Sequence, residues 1–178
     1  MAMNLYDPPK GAFWGEFNDR PLNQDHVATL ARDFGACLDN CEDKTSLDAA
    51  VKREWIKNIE NAIETADGTT VNDVPLMELT EEGLAVIKPN NLWILSGNHR
   101  RMALIRHVTD LKSDLADTMA SLDKIEVEKK EGDIAGKLGQ EVERLNKKAE
   151  GLGERIESSC KWVIRLYDRG KHSRISGD

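Results

Sequence analysis

Two apolar seams around a glycine-rich break constrain this chain more than anything else in it. Leu111, Leu115, Thr118, Leu122 and Ile125 step by four and three residues, and so do Leu138, Val142, Leu145, Ala149, Leu152 and Ile156. That stepping is the signature of a coiled-coil seam. Between the seams lies "KKEGDIAGKLG", with three glycines to break the helix. The expected result is an antiparallel helical hairpin, each arm reaching roughly 30 Å or more at 1.5 Å per residue. An arm of that length cannot lie inside the core of a chain of 178 residues. The positions between seam residues are mostly Lys, Glu and Asp, as a solvated arm requires. Charged residues make up 32% of the chain and hydrophobic residues 39%, which fits such an arm beside an ordinary core.

The rest of the chain reads as a small α+β domain, residues 1–108, completed by 160–178, with the hairpin of 109–159 inserted between. Residues 1–20, with two prolines, two glycines and four aromatics, suggest an irregular arm. "PLNQDHVATLARDFGACL" suggests a helix capped by Asn23, its Val27, Leu30, Ala31 and Phe34 marking one apolar face. "TSLDAAVKREWIKNIENAIETA" suggests a second helix: Ser46 caps it, Leu47, Val51, Trp55, Ile59 and Ile63 recur every four residues, and Gly68 stops it. Val74 to Leu79 reads as a strand with proline near its start, and Leu84 to Ile87 as a short apolar piece. A Pro89-Asn90-Asn91 turn then feeds Leu92 to Leu95, apolar enough for a strand covered on both faces. Trp162 to Tyr167 is the β-rich run that returns to the sheet after the hairpin.

Chemistry is concentrated in "LWILSGNHRRMALIRHV", Leu92 to Val108. A strand ending in Ser96-Gly97 and turning into a helix leaves the first N–H groups of that helix without partners inside it, at the positive pole of its dipole. Gly97 permits positive φ and a close backbone approach, and Asn98 is a natural cap. His99, Arg100 and Arg101 then crowd the first turn, where cations oppose the dipole. A bound phosphate resolves that conflict, because backbone donors and a guanidinium fork converge on its oxygens. The alternative is that these side chains point into water or pair with acids such as Glu81 and Glu82. Arg106 and His107, one to two turns on, stay outside the site, with Arg106 read as a solvated helix residue.

Together with "VPLMEL" and the preceding "DRPLNQDHVATLARDF", this corner resembles the ParB/sulfiredoxin superfamily over residues 16–108 and into the last strand. The resemblance implies a small mixed sheet with helices, and a Gly-x-(His/Arg)-Arg box that binds nucleotide phosphates. It places Gly97, His99 and Arg100 in the box, with Arg101 extending it, and matches Arg20 to the entry-segment arginine. Asn98 stands where sulfiredoxins carry their nucleophilic Cys, so repair of sulfinic acids by that route is excluded. It also stands where ParB proteins keep Glu, which separates this chain from their pattern for CTP. Asn98 can still hydrogen-bond a phosphate oxygen. The implied ligand is a nucleoside triphosphate, ATP or CTP, carried with Mg2+. Glu16, Asp19 and Asp25 are the nearest acids to the entry segment, though none is assigned as a metal ligand. If turnover occurs, His99 is the catalytic candidate, as cation or as acid–base, while Gly97, Asn98, His99, Arg100 and Arg101 bind the nucleotide.

Three functions follow from these residues. The first is a nucleotide-binding domain that hydrolyses a nucleoside triphosphate or transfers its phosphoryl group. The second is a ParB-like nuclease or DNA-binding protein, disfavoured by a net charge of −7 and by the lack of a helix-turn-helix after the box. The third is an interaction module in which the hairpin drives homodimerisation or binds a protein partner. No apolar run approaches the roughly 20 residues that span a bilayer, and the N-terminal segment lacks a signal-peptide layout, so a cytoplasmic or nuclear location is expected. Three cysteines fit reduced thiols, and Cys37 with Cys41 lacks the second pair that a metal site would need.

Overall fold

The computed structural model describes residues 1–8, 12–14, 21–36, 46–63, 69–84, 92–131, 135–169 and 173–174. In chain order these form β1 (Ala2–Asn4), β2 (Ala12–Phe13), α1 (Gln24–Ala36), β3 (Leu47–Val51), two 3-10 turns (Arg53–Trp55 and Ile59–Asn61), α2 (Glu81–Leu84), β4 (Leu92–Ile94), α3 (Asn98–Glu131), α4 (Ala135–Cys160), β5 (Lys161–Asp168) and β6 (Ser173–Arg174). The fold class is mixed α+β. None of the described helices is long and apolar enough to cross a membrane.

Among the described residues the sheet runs β1-β5-β3-β4-β2, with β6 also on β5. β1 and β6 pair antiparallel with β5, β3 is parallel to β5 and antiparallel to β4, and β2 is parallel to β4. β5, the longest strand, organises the rest. Its Trp162, Ile164 and Leu166 share one face and are buried with Leu47, Ala49 and Val51 of β3 and Leu92 and Ile94 of β4. Leu104 and Val108 of α3 complete that cluster, and Phe34 of α1 packs edge-on against Trp162. On the opposite sheet face Asp48 and Arg165 stand in register, and Arg165 Nε donates to Asp48 Oδ1 over 2.8 Å.

The N-terminal residues, expected to form an irregular arm, instead belong to the core. Met1, Met3 and Leu5 are buried, and β1 is held between β5 and the 75–77 segment. Ala2 donates to Pro75 O and accepts from Met77 N. The expected helix from Ser46 is also overturned: Leu47–Val51 is a strand and the following residues form two 3-10 turns. Side chains four apart share a face in a strand as well as in a helix, because four is twice the strand period. The Leu47, Ala49, Val51 alternation, flanked by β4 and β5, decides it for the strand. Gly68, expected to end that helix, lies outside the described residues, as do Cys37 and Cys41. Val74–Leu79, expected as a strand, forms none: among the described residues it makes isolated bridges, Ala2 to Leu76 and Ile56 to Leu79. β4 is buried on the face of Leu92 and Ile94, whereas Trp93 on the other face is half-buried beneath the Arg169 guanidinium, 3.5 Å from its ring centroid.

α3 is a single helix from the corner outward, about 50 Å long at 1.5 Å per residue. α3 and α4 pack on each other. Leu111, Thr118, Leu145 and Leu152 are buried, and Leu115, Leu122, Ile125, Leu138, Val142, Ala149 and Ile156 are half-buried. These are the seam positions, and the residues between them are largely exposed.

Candidate anion-binding corner

Parallel pairing of β2 with β4 brings the C-terminal ends of both strands to one end of the sheet. β3, antiparallel to β4, begins at that same end. Three segments therefore meet there: Trp14 after β2, the start of α1, and the β4–α3 turn. The register that pairs Ala49 with Ile94 sets Leu47 opposite Ser96. Asp48 N–H donates to Ser96 Oγ over 3.3 Å and Leu95 N–H to Asp48 O over 2.8 Å, fastening the turn to β3.

Gly97 has φ +93°. A Cβ there would also overlap Leu47 Cδ2. Both reasons for glycine are thus internal, and the side where a Cβ would stand is filled by Leu47. Gly97 O accepts from Arg101 N–H over 2.9 Å, which makes Gly97 the N-cap and Asn98 the first helical residue. Asn98, expected as the cap, sits one position further in. The first turn of α3 contains no acid.

The three basic candidates on that turn face different partners. The Asn23 backbone N–H donates to His99 Nε2 over 3.0 Å. Asn23 is itself the cap of α1, its Oδ1 accepting from His26 N–H and its carbonyl from Val27 N–H. His99 therefore ties the start of α1 to the start of α3, with a lone pair on Nε2 and its ring proton on Nδ1. Arg101 turns the other way, its Cζ 5.1 Å from the Trp14 ring centroid. Burial lowers the Arg101 pKa. Arg101 Nε and Trp14 Nε1 are both shielded from solvent and find no acceptor among the described residues. Both are donor-only groups. Arg100, between them in sequence, is half-buried. His99 and Arg101 are thus held apart, one as a tie between helices and one against an indole.

Trp14, Asn23 and His26 complete the corner and were not singled out as site residues by the sequence. Asn23 was legible as a cap, but its contact with His99 spans 76 positions. The rings of His26 and His99 lie 5.3 Å apart between centroids, tilted by 58°. Of the acids considered for magnesium, Asp25 is exposed in the first turn of α1, while Glu16 and Asp19 lie outside the described residues, as does Arg20. Glu81 and Glu82 are exposed at the start of α2. Arg106 is exposed, and His107 is buried beneath Phe34 rather than turned toward the corner. Among the described residues no group of three or more His, Cys, Asp or Glu side chains is placed to hold a metal ion. Comparison with protein-family models, with curated proteins and with solved structures yields no match for this chain.

Proposed function

We propose that this protein is a ParB/sulfiredoxin-like domain that binds a nucleoside triphosphate by its phosphates at the Gly97–Arg101 corner, with a coiled-coil hairpin built from α3 and α4. The carrying observation is the pair of shielded N–H donors that find no acceptor among the described residues, Arg101 Nε and Trp14 Nε1. Leaving such groups unpaired costs about 1–3 kcal/mol each. Because neither can accept a hydrogen bond, the group that satisfies them must bring acceptor oxygens or nitrogens, and a polyphosphate or nucleobase does so. An acid-free first turn at the positive end of a 34-residue helix adds to the preference for an anion. The Gly-Asn-His-Arg box lies at a strand-to-helix turn with α1 packed beside it, which is the setting in which the resemblance assigns phosphate binding.

Within this reading Arg100 and the first-turn N–H groups hold phosphate oxygens, Arg101 contributes charge from its place against Trp14, and His99 keeps the two helix starts together. A nucleotide would bring Mg2+ with it. Hydrolysis or phosphoryl transfer asks the protein mainly for positioning and charge stabilisation. A second reading, an interaction module, is favoured by Met119 and Val127, 48% and 56% exposed on α3.

A thermal-shift panel of ATP, ADP, CTP and GTP, with and without Mg2+, tests the proposal on the parent and Arg100→Ala. A ligand at about a hundredfold excess over its Kd adds about 2.7 kcal/mol, equivalent to a rise of roughly 5–10 °C. The parent is expected to show that rise with one nucleotide and the variant to lose most of it. An equal rise in both would move the phosphates away from Arg100, and no rise with any nucleotide would overturn nucleotide binding.

A further inference from the structure

The residue directly after each seam residue lies on one side of the α3–α4 pair, and the residue directly before it lies on the other. α3 runs outward and α4 returns to β5, so a two-fold axis normal to the pair relates them and equal offsets from the two seams share a side. The side of the preceding residues is balanced in charge, acids of α3 such as Asp114 and Asp117 standing with bases of α4 such as Lys148 and Arg155. The other side is not balanced. Along the arm it carries Asp123, Glu126, Glu143 and Glu150, all exposed, with no base between them among the described residues. Its cations lie at the sheet end, where Lys112 sits over the Tyr6 ring and Lys161 pairs with Glu157.

Uncharged residues lie among those carboxylates. Met119, after Thr118, is 48% exposed. Gly139 and Gly153, after Leu138 and Leu152, stand inside a 26-residue helix, where glycine is the least favourable residue after proline. A Cβ at either would meet nothing within 4 Å, so packing among the described residues gives no reason for glycine there. Gly151 is equally open but lies on the balanced side. Glycine lets a second backbone come close to a helix, and Met119 then lies at the contact.

We propose that this side of the α3–α4 pair docks a helix of a partner protein, one whose small apolar stripe covers Met119 and the two glycines while flanking Lys and Arg side chains meet the four carboxylates. The proposal rests on the interaction-module reading and does not depend on nucleotide binding. A second copy of this chain fits less well, because the bases of α4 already stand with the acids of α3 on the balanced side.

The probe is a fluorescent synthetic helix, about 30 Å long at about 20 residues, with leucine and alanine on one face and lysine flanking it. A second helix carries glutamate for each lysine. Anisotropy with the full chain is read in physiological salt, where a Debye length of about 8 Å suppresses general attraction. The lysine helix should bind roughly tenfold more tightly than the glutamate helix. Glu150→Lys should weaken that binding roughly tenfold, whereas Glu154→Lys, the same charge change on the outer face of α4, should stay within about twofold. Gly139→Gln combined with Gly153→Gln should raise the melting temperature, since glutamine is the better helix former, yet weaken binding roughly tenfold. A purely structural role for the glycines would lower the melting temperature instead. Equal losses from Glu150→Lys and Glu154→Lys, or binding that survives both glutamines, overturn the inference while leaving the interaction-module reading in place. So does a dimer in light scattering that Met119→Lys dissociates, since the occupant is then a second copy. A monomeric chain that does not bind the lysine helix overturns the inference and that reading together.

Discussion

Gly97 combines a φ of +93° with a neighbour, Leu47, that occupies the space of a side chain. Gly97→Ala should therefore cost about 2–4 kcal/mol, combining left-handed strain with overpacking. Adding Leu47→Ala should relieve the overlap but not the strain, so a double-mutant cycle by urea unfolding should show favourable coupling. Strict additivity would mean that the contact contributes nothing. The sequence marked Gly97 as a turn residue through its place between an apolar run and a helical period. It could not name Leu47, which approaches only because β3 lies antiparallel to β4. The same holds for His99: its basic neighbours were visible in the chain, but its partner Asn23 is 76 residues away. Trp14 beneath Arg101 likewise depends on β2 lying parallel to β4.

Along α3 and α4 the exposed and buried positions alternate with the seam. Leu145 is 6% exposed, whereas Met119 on α3 is 48% exposed. Leu145→Ala should cost about 2–4 kcal/mol of unfolding free energy through lost burial and a cavity. Met119→Ala should stay within about 0.5 kcal/mol, as a surface change away from special features does. Equal costs in chemical denaturation would contradict this division of faces. These two helices were legible because their buried contacts follow one repeat carried by many residues. β3 was not, since an apolar residue every fourth position satisfies helix and strand alike. β1, with three residues, is too short to show a period at all.

At the scale of the whole molecule, His107 lies where the three long helices meet. It is on α3, edge-on to Phe34 of α1, and buried. Its pKa is lowered, first by burial and then by Arg155 of α4, with Asp110 acting in the opposite direction. The unfolded chain, with an imidazole near 6.5, binds the proton more readily than the folded protein. The stability associated with His107 is therefore fully present above pH 6.5 and lost as pH falls from there through the depressed folded-state value. The melting temperature should fall as pH drops below that point, and His107→Gln should flatten the fall. An unchanged pH dependence in the variant would assign the effect to other groups. The sequence alone determined the long helical elements, the strand before the turn and the returning strand after α4, because each is encoded by a period or an apolar run within its own segment. Tertiary structure alone decided that β1 enters the core, that Leu47–Val51 is a strand, and that Trp14, Asn23 and His26 meet His99 and Arg101. Those outcomes depend on which distant strand supplies the backbone partners and which register brings two side chains together, and neither is written in the local pattern of either partner.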